Sequence, residues 1–200
     1  MEDNTAFNKN MYVLSIASEC CTLKGMYFLF LKNLMSVPVL KPLYNILKFF
    51  GCPVIWEVSV GAVVFREEEG KRLYLLLHYP SGHFDFAKGH VEEGETEEMT
   101  LRRETEEEAG INDLKVFPER TSIRYFYVAK GNEREKRLRS KRGIWIFKQV
   151  HFYPAQTETK EIKISYEHIG FVWLPYEEAL TKVTFENARR VLVQTEMNLR

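Results

Sequence analysis

The chain has 200 residues and a mass of 23.6 kDa, a size that suggests one globular domain with an appendage. Its 28 Lys and Arg balance 28 Asp and Glu, which excludes a polyanion binder that works by bulk charge, because such domains carry a basic excess. Hydrophobic residues at 45% and charged ones at 28% exclude wholesale disorder, and seven Pro and eleven Gly exclude a collagen-like or linker-like chain.

Residues 1–50 hold five Lys and three acids. The three cysteines, Cys20, Cys21 and Cys52, are odd in number and two are adjacent, so they form no disulfide framework and fit a reducing compartment. The adjacent pair also admits palmitoylation as an alternative to plain thiols. The apolar run 26–31, MYFLFL, is bounded by Lys24 and Lys32, and a membrane-spanning helix needs about 20 apolar residues. Residues 11–31 loosely resemble a signal peptide, but Glu19 and Lys24 interrupt them. The preferred reading is a cytoplasmic extension over 1–52 that lies on the domain or on a lipid surface, with membrane contact through 1–50 the minority reading. A true start at Met26 or Met35 is an alternative.

Residues 43–50 read as a short apolar helix, and Gly51 and Pro53 mark the boundary of a second segment, 53–200. The β-branched residues 57–65 and the run 72–78 predict a hairpin around a polar turn at 66–71. A loop rich in Gly and His follows, then a helix over 96–109 stopped by Gly110. Strands are predicted near 113–117, at 121–128, 144–152 and 169–174, with a basic loop at 130–142 and a polar, irregular start to 154–164. Helices over 176–181 and 185–197 close the chain. The expected class is α+β, a mixed sheet sandwiched between helices.

The helix at 96–108 has eight charged residues in thirteen, and only Met99 and Leu101 are large and apolar. It therefore lacks the apolar stripe of an ordinary surface helix. Glu104, Glu107 and Glu108 stand at i, i+3 and i+4 and share one face, where like charges repel. A hard divalent cation with oxygen ligands would relieve them, and Mg²⁺ suits a few carboxylates completed by water and phosphate. The alternative is a solvated acidic face.

The spacing around that helix is more informative. Gly89 is followed six positions on by Glu95, then by Arg103-Glu104, Glu107-Glu108, Gly110 and the apolar Ile111. The segment 89–111, GHVEEGETEEMTLRRETEEEAGI, resembles the box of the Nudix hydrolases at eight of nine defined positions, with Thr105 where that family usually has an apolar residue. The resemblance spans about residues 56–198. It implies the Nudix fold and Mg²⁺- or Mn²⁺-dependent cleavage of a nucleoside diphosphate linked to another moiety. It implies Glu104, Glu107, Glu108, Glu167 and the Gly89 carbonyl as metal ligands. Glu104 or Glu167 would be the base, and Arg103 would orient the acids with Glu95 as its partner.

The run Lys88-Gly89-His90-Val91-Glu92 and the segment 166–174, YEHIGFVWL, are most similar to asymmetric diadenosine tetraphosphate hydrolases, although Phe84 and Ala87 stand where those usually have Trp and Pro. This implies His83 and Lys88 on phosphate oxygens, Tyr127 and Phe185 on the purine, and Lys141 on the polyphosphate chain. The expected partner is a nucleoside polyphosphate, with no stable nucleic-acid complex and a monomeric chain. RNA 5′-pyrophosphate or diphosphoinositol polyphosphate hydrolysis, and a non-catalytic nucleotide sensor, remain the alternatives; the last expects loss of a box glutamate, and all three are present.

Overall fold

The computed structural model describes residues 40–200. Cys20, Cys21, the apolar run 26–31 and the candidate start sites Met26 and Met35 lie outside the described residues. The elements in chain order are α1 (Leu40–Phe49), β1 (Val54–Glu68), β2 (Lys71–His78), β3 (Phe84–Asp85), β4 (Ala87–His90), α2 (Glu97–Ala109), β5 (Lys115–Val116), β6 (Thr121–Val128), α3 (Gly131–Arg139), β7 (Trp145–Gln156), β8 (Gly170–Pro175), α4 (Tyr176–Lys182) and α5 (Glu186–Asn198). Among the described residues no helix is long and apolar enough to cross a membrane.

The chain forms two compact units. The larger comprises residues 56–124 and 148–200, and the described part of the smaller comprises 40–55 and 125–147. All eight strands contribute residues to the larger unit's mixed sheet. Its order is β3-β2-β1-β7-β5, with β4 also on β1, β6 on β7 and β8 on β2. From Ser59 to Arg66 every residue of β1 is buried. That continuous burial explains why the segment reads as an apolar run rather than an alternating one: a central strand covered on both faces has no solvent side to mark. Val60, Val64, Leu75, Leu77, Leu101 and Ile111 form the heart of the core beside it. Helix α2 packs on β4, and α4 packs on β2, β8 and α5. The chain's end is fastened where Tyr74 on β2 donates to Glu196 on α5 at 2.5 Å and Arg72 pairs with the same carboxylate at 2.9 Å.

Three local expectations are corrected. The loop after β2 contains two short strands, and β4 exists because it pairs with β1, with Val60 opposite Gly89. Such pairing is tertiary and leaves no periodicity in a four-residue segment. Strand β7 runs on to Gln156, pairing there with a β5 of two residues. The basic segment 130–142 is not a loop: residues 131–139 form α3 in the smaller unit. Glu133–Arg137 at 2.8 Å and Glu135–Arg139 at 3.7 Å support it at i,i+4 spacing, and Arg137 is buried and donates to the Gly143 carbonyl at 3.3 Å. In that unit Tyr44 of α1 and Phe126 of β6 both pack on Phe147.

Candidate active site

Helix α2 begins because the Thr96 hydroxyl accepts from the Met99 N–H at 3.2 Å, and it ends at Gly110, whose φ of +70° is the left-handed cap that glycine adopts without strain. Its buried residues are Thr100, Leu101, Thr105, Glu108 and Ala109. The missing apolar stripe is thus replaced by threonine, alanine and one glutamate. Thr105 is fully buried, and its hydroxyl donates to the Leu101 carbonyl at 2.8 Å, so the position is satisfied without a larger apolar side chain.

Arg103 is the hub of the acidic face. It forms a two-pronged pair with Glu95, at 2.7 and 3.0 Å, and reaches Glu104 at 2.7 Å, Glu107 at 3.3 Å and the His90 carbonyl at 3.0 Å. Hydrogen bonds from Arg103 and Thr100 hold the Glu95 carboxyl down at about pH 2. The three acids on the face are not equivalent. Glu104 and Glu108 are tucked inward, while Glu107 is largely exposed and leans on Arg103. Burial raises the Glu104 carboxyl against the opposing pull of Arg103. Burial pushes Glu108 up to about 8, with Lys88 opposing the shift and the charges of Glu104 and Glu167 adding to it.

Gly89 lies directly over Glu104. A Cβ there would stand 1.8 Å from the Glu104 carboxyl, so only glycine lets β4 and α2 come this close. The preceding residue's amide, Lys88 N–H, donates to Glu108 at 3.3 Å. Gly89 thus lies against Glu104, and its neighbour Lys88 against Glu108.

Lys88 is held in place by a partner the sequence reading did not single out. Its Nζ lies 2.9 Å from Asp85, 3.2 Å from the Tyr79 hydroxyl and 5.0 Å from the centre of the Tyr79 ring. Burial opposes its charge, but Asp85, Tyr79 and Glu108 outweigh burial and its pKa is raised. A file of rings runs from there to the surface: His168 meets Tyr79 edge-on at 4.4 Å, Tyr79 stacks on His83 at 4.3 Å, and His83 meets the half-exposed Phe185 at 5.1 Å. His168 is buried 3.7 Å from Glu108, and its Nε2 has no hydrogen-bond partner among the described residues. Glu167 sits exposed on the same turn.

Two further groups complete the picture. In the larger unit Glu57, His90 and Lys148 converge: His90 Nε2 is 3.0 Å from Glu57 and 2.8 Å from Lys148 Nζ. They come from β1, β4 and β7, which is why no local motif marks them. Tyr127 and Lys141 belong to the smaller unit. There Tyr127 donates to Glu133 at 3.0 Å, and Lys141 follows α3 with a φ of +54°. Asp85, Tyr79 and His168 join this cluster with no motif to mark them, apart from the place of Asp85 three residues before Lys88.

Among the described residues no three His, Cys, Asp or Glu side chains form a tight metal cage. Mg²⁺ needs none, since it is commonly bound through one or two carboxylates and completed by water and phosphate. The residues fit such an ion. Two inward carboxyls, Glu104 and Glu108, are both destabilised as anions, and a side-chain-free position sits against Glu104.

A covered sheet, a glutamate-rich helix locked by Arg103 and a glycine pressed on its acids are the frame of one class of hydrolase, and the chain belongs to it: residues 56–194 match the NUDIX domain. Its relatives narrow the likeness. The asymmetrical bis(5′-nucleosyl)-tetraphosphatase of Caenorhabditis elegans is 32% identical over 126 residues, covering 61% of this chain and 81% of that one. The enzyme of the same name from Rattus norvegicus is 32% identical over 146 residues, covering 67% and 89%. The structure of a C. elegans Ap4A hydrolase binary complex aligns with a TM-score of 0.58 at 28% identity, over 72% of this chain and 97% of that one.

Proposed function

We propose that this Nudix hydrolase uses Mg²⁺ to split diadenosine tetraphosphate with one water into ATP and AMP. The observation that carries the reading is the pairing of Glu104 and Glu108 beneath Gly89, both carboxyls raised by burial, with the cation Lys88 alongside. The likeness to asymmetrical tetraphosphatases supports the substrate.

Glu104, Glu108 and the Gly89 carbonyl would hold the ion, with Glu107 beside them and Glu167 added from its turn. Bound Mg²⁺ supplies neutralisation of phosphate oxygens and acidification of the attacking water. Arg103 fixes the Glu104 carboxyl, so its orientation is set before substrate arrives. Lys88 and His83 meet phosphate oxygens, and Phe185 beside His83 offers a flat surface to adenine. Water adds to phosphorus, a P–O–P bridge breaks, and Glu104 or Glu167 takes the proton. For the smaller unit, the resemblance assigns Tyr127 to the nucleotide and Lys141 to the polyphosphate chain. Cytoplasmic location and a monomeric state go with this reading.

The test is turnover of diadenosine tetraphosphate by purified protein with Mg²⁺ in ¹⁸O-labelled water. ATP and AMP in equal amounts, with label in one of them, are expected. No turnover of any dinucleoside polyphosphate would overturn the assignment, and a preference for 5′-pyrophosphorylated RNA or diphosphoinositol polyphosphates would redirect it.

A further inference from the structure

We propose that α1 docks flat on an anionic phospholipid surface, with Ile46, Phe49 and Phe50 entering the lipid interface and Lys41 and Lys48 meeting the headgroups. The inference is independent of the substrate. Ile46 and Phe49 stand at i and i+3 in α1, and Phe50, just past its end, continues the turn by donating its N–H to the Ile46 carbonyl at 3.1 Å, so the three share one face. They are 53%, 85% and 69% exposed, values that bulky apolar side chains in three neighbouring positions do not reach on a face packed against its own fold. The helix is held from its other side. Leu43, Tyr44 and Leu47 are half-buried, and Tyr44 meets the Phe147 ring edge-on at 5.6 Å. The apolar surface of α1 is thus divided between an inner half that anchors it and an outer half that faces away.

Charge selects the occupant. Residues 20–56 contain Lys24, Lys32, Lys41 and Lys48 and not one acidic residue. A second copy of the chain would bring its own Lys41 and Lys48 to the same helix, and like charges disfavour that pairing. Residues 20–39 carry two of those lysines themselves, so they offer α1 no opposite charge. An anionic bilayer supplies both what the aromatic side chains need and what the lysines need. Ten residues make a helix about 15 Å long, half the roughly 30 Å hydrocarbon core, so α1 lies in the interface rather than across it. Lys48 reaches over the Tyr44 ring, 5.8 Å from its centre, which places a cation on the flank of the helix, where a long side chain reaches the headgroups.

The test is co-sedimentation of the full chain with vesicles of phosphatidylcholine alone and of phosphatidylcholine with phosphatidylserine. Binding to the anionic vesicles only, weakened by salt, is expected. The double variant Phe49→Ser/Phe50→Ser should bind about tenfold less or weaker still, with hydrolysis of soluble dinucleoside polyphosphate and thermal stability unchanged. Three results would overturn the proposal. The first is wild type that sediments with neither vesicle. The second is a variant that binds as wild type does, which assigns binding to residues outside α1. The third is a wild-type dimer that the variant converts to monomer, which makes the face a contact between copies.

Discussion

Glu108 sits where burial and charge conflict. Its folded-state pKa of about 8 lies above the ordinary 4.5, so its contribution to stability is present at low pH and is lost as pH rises through 8. Glu108→Gln should therefore raise the Tm of metal-free protein above pH 8 while lowering Mg²⁺-dependent kcat/KM about 100-fold or more. A variant with lower Tm and intact turnover would contradict both the conflict and the role. Gly89→Ala places a methyl where the Glu104 carboxyl now lies. It should abolish turnover while far-ultraviolet circular dichroism stays native, because β4 remains paired with β1. Phe185→Ala should raise KM for an adenine dinucleotide with little change in kcat, since a stacked base is worth about 1–3 kcal/mol and stacking is remote from the bond that breaks. An equal fall in kcat and kcat/KM would instead place Phe185 in support of the reacting groups.

At the scale of elements, α3 depends on one buried cation. Arg137 joins Glu133 to the Gly143 carbonyl, so Arg137→Ala should speed amide exchange over 131–139 and destabilise the chain by about 1–3 kcal/mol. Protection unchanged across that segment would remove Arg137 from this role. This helix also shows where the sequence stops being legible. Its basic residues dominate its composition and hide the Glu133–Arg137 and Glu135–Arg139 pairs that allow it to form. By contrast the course of α2 and its stop at Gly110 could be read from propensity, and its Arg103–Glu95 pair from the resemblance, because these determinants lie within sixteen residues. The Glu57–His90–Lys148 group draws on strands up to 91 positions apart, and only the sheet order brings it together. Asp85 lies between the two readings: near Lys88 in sequence, but recognisable as its partner only once β3 and β4 are in place.

For the molecule as a whole, acid sensitivity has a traceable source in the larger unit. His151 is buried, with Ser122 at 2.6 Å and Gln149 at 2.7 Å on its two ring nitrogens. Burial lowers its pKa; Glu97 opposes the shift, and Arg120 and Arg124 add to it. A histidine held neutral in this way stabilises the fold fully above its unfolded pKa of about 6.5, and that contribution is lost as pH falls below it. His151→Gln should therefore flatten the decline of Tm as pH falls below about 6.5, relative to wild type. Identical slopes would show that other groups set the acid limit.

The height of the Glu108 pKa also makes cation loading an exchange reaction. Near neutrality the empty protein holds a proton at that carboxyl, and an ion that takes the place must evict it. Titrating Mg²⁺ into weakly buffered protein at pH 7 should therefore acidify the solution, and the effect should fade above pH 8. On the proposed Mg²⁺ reading, the apparent affinity for the ion should also rise with pH over the same interval.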